Sequence, residues 1–146
     1  MARVKVLIQR QGFEEIKAYF GSTVSNMRDL NPPLKKSGNL MLRSVDQNFK
    51  WSGRPTRWRP LKRSTILRKL KDGYGVFPLI RTGKLRRSIV FNIKRPAKLA
   101  IGTSIPYSPY HQFGTRKIPA RPYLIFQKLD LERIENLIIN HITGAN

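Results

Sequence analysis

The chain has 146 residues, enough for one core, and carries 29 Lys and Arg against 8 Asp and Glu, a formal net charge of +21. It lacks cysteine, which excludes disulfides, thiol catalysis and Cys-ligated zinc, and its two histidines, His111 and His141, fall into no metal-ligand spacing with the acids. The opening apolar run is too short for a secretory signal and no run approaches the ~20 apolar residues of a membrane span, so the expectation is a soluble protein made in the cytoplasm.

In chain order, Val4, Val6 and Ile8 alternate with Arg3 and Lys5 and predict a short strand. From Phe13 the spacing becomes helical through Ile16, Phe20, Val24 and Met27 to Leu30, with Gly21 and Ser22 weakening the middle. Asn31 and Pro32 suit the N-cap and first position of a second helix, whose stripe of Leu34, Met41, Val45 and Phe49 runs to about residue 49. The stretch 50–63 breaks the pattern with Gly53, Pro55, Pro60, two tryptophans and a dense basic run. Ser64 or Thr65 would cap a short helix that Asp72-Gly73 ends. Residues 79–88 read as a capped turn. Two strands follow, with Ile89, Phe91 and Ile93 on one face of the first and Leu99 and Ile101 on one face of the second, joined as a hairpin through Arg95–Lys98.

The segment Ile105–Leu124, with four prolines and three tyrosines, reads as one long aromatic loop. Leu129, Ile134, Leu137, Ile138 and Ile142 then mark a C-terminal helix starting near Asp130. The sum is an α+β fold, a small antiparallel β-sheet with two N-terminal helices and a C-terminal helix packed on it. One domain is expected over 1–146: a helical part at about 9–49, a basic Trp/Arg loop at about 50–63, sheet and aromatic loop at about 79–126, and the last helix at about 129–143.

Between Gln47 and Lys128 the only acid is Asp72, so the middle of the chain carries nearly all the positive field and must meet something anionic. No catalytic constellation is found. Ser108 lies near His111, but Pro109 intervenes and no nearby acid orients the imidazole, which leaves His111 a hydrogen-bonding or interface residue. Glu14-Glu15 and Glu132/Glu135 read as solvated helix faces, and Gly73-x-Gly75 lacks the rest of a nucleotide loop. The run Arg54, Arg57, Trp58, Arg59, Lys62, Arg63 would hold phosphates while the indole stacks on a base, or else Trp58 and Leu61 pack inside while the cations face solvent; packing is preferred. Lys84, Arg86 and Arg87 form a second basic turn, and no sequence-specific DNA-binding motif accompanies it.

Three ordered blocks resemble the Mu-like virion morphogenesis, or tail-completion, family of tailed bacteriophages. The first holds Phe49, Gly53, Trp58, Pro60, Leu61, Thr65, Arg68 and Lys69; the second Leu79, Thr82, Gly83, Leu85, Ser88 and Ile89. The third runs from Ile101-Gly102-Thr103 through Tyr107, His111-Gln112-Phe113-Gly114 and Ile118-Pro119-Ala120-Arg121-Pro122. Ser108-Pro109 after the first tyrosine and Tyr123 in place of the commoner phenylalanine depart from the pattern.

The resemblance implies a non-enzymatic structural protein of the phage neck, without cofactor or metal. It would complete the tail or close the head–tail junction as a ring of six or twelve copies around the DNA exit path. It would be made in the host cytoplasm and end in the virion, beside other neck, connector and tail proteins, away from any membrane. A free-standing basic protein that binds nucleic acid without sequence preference is the alternative. The ring implies intersubunit contacts by Tyr107, Tyr110, His111, Arg116, Arg121 and Tyr123, with Phe113 in the core and Gly114 turning the chain. Arg54, Arg57, Arg59, Lys62, Arg63, Lys84, Arg86 and Arg87 would meet acidic partner surfaces or, for a minority, the viral DNA.

Overall fold

Helix α1, Asn31–Lys50, is the element on which the others are built. The computed structural model describes Met27 and residues 29–145, so the strand at Val4–Ile8 and most of the helix expected from Phe13 lie outside the described residues. Pro32 and Pro33 sit in the first turn of α1, where the N–H they lack has no helical partner anyway. The N-cap position falls on Leu30, one residue before the expected Asn31, and Asp29 accepts from the Asn31 backbone N–H at 3.0 Å. Leu34, Met41, Val45 and Phe49 are buried along one stripe, and the same stripe carries Ser37, Gly38, Ser44 and Asn48. One side of α1 packs on the C-terminal helix and another on the sheet.

After α1 the chain reverses through Ser52 and Gly53, both at positive φ. A Cβ on Gly53 would lie 2.7 Å from the Thr56 carbonyl oxygen and from the Trp58 ring, so glycine is required there. Helix α2, Arg63–Lys71, begins earlier than a Ser64 or Thr65 cap implies, with Lys62 at the N-cap and no capping side chain. A four-residue helix α3, Lys84–Arg87, occupies the expected turn.

Strands β1, Val90–Lys94, and β2, Lys98–Gly102, pair antiparallel with Phe91 opposite Ile101 and Ile93 opposite Leu99. Two strands alone are marginal in water; here α1 covers the inner face, burying Leu99 and Ile101. Gly38 of α1 is the closest point of that contact, since a Cβ there would fall 2.6 Å from the Phe91 ring.

The aromatic segment contains a helix that its prolines conceal. Helix α4, Ser108–Phe113, starts with Pro109 in its first turn and stops at Gly114, φ 75°. Helix α5, Lys128–Thr143, starts two residues before Asp130, because Gln127 and Asp130 form a reciprocal capping box. Ile134 and Ile142 are buried, whereas Leu129, expected on the inner stripe, is exposed. Among the described residues the result is an α+β arrangement in which helices flank a two-stranded antiparallel sheet.

Gly38→Ala tests the tightest of these contacts. Alanine in a helix interior ordinarily gains ~1 kcal/mol over glycine. Overpacking against Phe91 should outweigh that and lower stability by roughly 1–3 kcal/mol in urea unfolding, with the loss relieved in a Phe91→Ala background.

Candidate functional site

Residues 119–127 run without regular structure between α4 and α5, yet Arg121, Tyr123 and Leu124 are buried. Side chains from three directions answer their backbone groups. Gln112 of α4 accepts from the Tyr123 and Leu124 N–H groups, each at 3.1 Å, and donates to the Leu124 carbonyl at 3.0 Å. Asn48 of α1 donates to the Tyr123 carbonyl at 2.9 Å, and the Trp58 indole donates to that of Pro122 at 3.1 Å. The Phe49 ring meets Trp58 edge-on and Tyr123 at a tilt, with centroids 5.9 and 5.5 Å apart.

Arg54 ties this assembly to α1. Its guanidinium donates to Asn48 Oδ1 at 2.9 Å, to Gln47 Oε1 at 2.7 Å and to the Ser44 carbonyl at 2.6 Å. The Ser44 hydroxyl in turn bonds the Asp130 carboxylate, which also accepts from the Gln127 N–H. Gln127 donates to the Arg54 carbonyl at 3.0 Å. Arg54 is half-buried and its guanidinium is engaged within its own chain, which corrects its expected role as a contact to DNA or an acidic partner.

Two interface expectations are likewise overturned. Tyr123 is 2% exposed and packs within its own chain. Arg121 is 7% exposed, and its guanidinium donates to the carbonyls of Arg59, at 3.0 and 3.2 Å, and Pro60, at 3.4 Å. Phe113, expected in the core, is 64% exposed, because α4 turns Ser108 and Gln112 inward to serve the 123–124 backbone. Tyr107 and Tyr110 are exposed on the same short helix region. Gly114 turns the chain toward 115–120, where a Cβ would lie 2.7 Å from the Ala120 nitrogen. Trp58 is buried, and Leu61 is half-buried at the wall of a cleft.

That cleft, about 970 Å³, lies between residues 59–62, α2, residues 79–85 and the 115–121 turn. Arg59, Lys62, Arg68, Lys84, Arg116 and Lys117 line it and are exposed. Asp72 is the one acid in the lining, and it is paired with Arg81 at 3.2 Å. Pro60, Leu79, Ile80, Leu85 and Ile118 supply apolar wall.

At its inner end Lys69 is buried and donates to the carbonyls of Phe77 and Ile80. Burial, then the charge of Arg81, pushes the Lys69 ammonium below the usual lysine range. Sequence reasoning missed Ser44 and Asn48, and named Lys69 and Gln112 as family-motif positions without a role. The available signal for Lys69 was its place one turn after Thr65 and Ile66 on the inward face of α2.

His111 also borders the cleft. Its ring meets Tyr107 edge-on at 5.7 Å, its carbonyl accepts from the Arg121 N–H at 2.7 Å, and its Nδ1 is buried without a hydrogen-bond partner. Of the remaining basic candidates, Arg86 pairs with Asp46 and Arg87 donates to the Thr82 carbonyl at 2.8 Å. Arg57 and Arg63 are exposed and do not line the cleft. Among the described residues, no cluster of three or more metal-ligating side chains occurs, and no helix is long and apolar enough to cross a membrane.

The phage virion morphogenesis family model matches residues 12–143, and the chain belongs to that family. G protein 2 of the Mu-like prophage FluMu of Haemophilus influenzae is 33% identical over 106 residues, 68% of each chain. An uncharacterized protein of Methanocaldococcus jannaschii is 29% identical over 91 residues, 58% of this chain and 67% of its own. No solved structure matches. The match takes in residues 12–48, which the three blocks at 49–126 did not reach.

Burial, then the nearby charge of Arg121, holds the His111 imidazole below the ordinary histidine value. The unfolded chain therefore takes up the proton first. Stability from this residue is complete above about pH 6.5 and declines as pH falls from there toward the folded value. His111→Gln should flatten that part of the stability–pH curve in denaturant titrations, and an unchanged slope would assign it elsewhere.

Proposed function

We propose that this member of the phage virion morphogenesis family is a structural neck subunit. It completes the tail or closes the head–tail junction as a ring of six or twelve copies around the path of the viral DNA. Family membership carries a structural or assembly role in the phage and association with the virion. The observation that carries the finer reading is the pairing of two unlike outward surfaces on one rigidly buttressed segment. One is the exposed aromatic group Tyr107, Tyr110 and Phe113; the other is the cationic cleft beside it. A ring built by repeating one heterologous contact needs two different patches on each subunit, and aromatic side chains are frequent anchors of such contacts.

The nucleic-acid alternative is weakened by the burial of Trp58, whose indole N–H is committed to Pro122. It would have to rest on Trp51, 61% exposed at the end of α1. In a neck ring the cations chiefly meet acidic surfaces of neighbouring subunits or connector and tail proteins, with a minority reaching DNA. Tight adhesion in the lumen would oppose DNA passage.

Particles assembled without the protein should show filled heads beside unattached or unfinished tails in electron micrographs. Supplying Tyr110→Ser/Phe113→Ser, which touches only exposed side chains, should leave thermal unfolding unchanged and fail to restore joined virions. Normal joined particles without the protein would contradict the assignment.

A further inference from the structure

The cleft is rich in unbalanced positive charge, while four of the six acids among the described residues are already engaged. Asp29 holds Asn31, Asp46 pairs with Lys50 and Arg86, Asp72 pairs with Arg81, and Asp130 is buried against Ser44. The other two, Glu132 and Glu135, are exposed on α5; Glu132 lies 4.0 Å from Lys128. Leu131 and Ile139, also exposed, accompany them. At ~100° per residue these four side chains fall within an arc of about 100°, forming one acidic and apolar stripe. The cleft offers the complement, with cations at its rim and Leu61, Leu79 and Ile80 in its wall.

We infer that the cleft of one copy receives the α5 stripe, Leu131, Glu132, Glu135 and Ile139, of a second copy of this chain. This deepens the ring reading, on which it rests, by naming both halves of the repeated contact. The residues from Leu131 to Ile139 rise about 12 Å, and a helix ~10 Å wide over that length occupies about 940 Å³. Only its outward half is free, because the inner half packs on α1. The cleft of about 970 Å³ therefore has room for the stripe and ordered water.

No residue of α5 lines the cleft, so the pairing joins two different patches on two copies and propagates from copy to copy. A duplex would offer phosphates to the cations and leave the apolar wall unmatched; a leucine- and isoleucine-bearing acidic helix satisfies both. At ~150 mM salt the Debye length is ~8 Å, which screens long-range repulsion between highly charged copies and leaves close pairs effective.

Sedimentation velocity of the full chain at that salt reads the contact. The wild type should associate beyond dimers. Glu132→Lys/Glu135→Lys and Arg68→Glu/Lys84→Glu should each weaken association at least tenfold. A mixture of the two variants should restore it, which loss of folding in either would not allow. Undiminished association of either variant, or a mixture that stays dissociated, would overturn this contact while leaving a ring built through other surfaces intact. A wild type that remains monomeric at every concentration would overturn the contact and the ring together.

Discussion

A chain segment without regular structure can be buried only if other groups answer its backbone N–H and C=O dipoles, and residues 119–127 meet that condition chiefly through side chains, with the His111 carbonyl taking the Arg121 N–H. Gln112 serves 123 and 124 on both donor and acceptor sides, as a neighbouring strand would. Asn48 and Trp58 take the carbonyls of Tyr123 and Pro122. Arg121 returns the favour to the other irregular stretch by capping the carbonyls of Arg59 and Pro60. Two segments that could not stand alone thus hold each other against α1. Leaving any of these buried groups unpaired would cost about 1–3 kcal/mol each, so the network holds or fails largely as a unit.

The outer surface follows from the inner one. Because α4 must aim Ser108 and Gln112 inward, its aromatic residues Tyr110 and Phe113 have nowhere to go but outward. Because Arg121 draws the 115–121 turn toward residues 59–60, a cleft opens between that turn, α2 and residues 79–85, and the cations of those segments converge on it. A surface that is aromatic on one side and cationic on the other suits a subunit that acts by docking in an assembled particle. The same packing places His111 at the seam, half-buried and neutral-favouring, where it supports the turn through its carbonyl.

The parts legible in the sequence were those where burial and hydrophobicity coincide. The stripe Leu34, Met41, Val45, Phe49 marked α1, and the alternation around Phe91, Ile93, Leu99 and Ile101 marked the hairpin. The family blocks were legible as well, though the roles assigned inside them were less so. Helix α4 was hidden because its buried face is polar and its apolar face is outside, so periodicity points the wrong way and Phe113 is misplaced. Arg121 was read as an outward anchor because its carbonyl partners lie about sixty residues away in sequence. Asn48 escaped for the same reason, its acceptor Tyr123 lying 75 residues away; the carbonyls that make the burial of Lys69 tolerable are close in sequence, in the irregular stretch after α2, where no periodicity marks them.

The central claim is that Arg121 holds its own subunit together and does not serve as an intersubunit anchor, and the stability of the isolated chain tests it most directly. Arg121→Ala should lower the unfolding free energy by roughly 2–4 kcal/mol, from the lost charged hydrogen bonds and the carbonyls left buried and unpaired. Arg121→Lys should recover less than half of that, because a single ammonium does not match the planar fork that spans two carbonyls. An Arg121→Ala chain as stable as the wild type in denaturant titration, yet unable to assemble, would contradict the account.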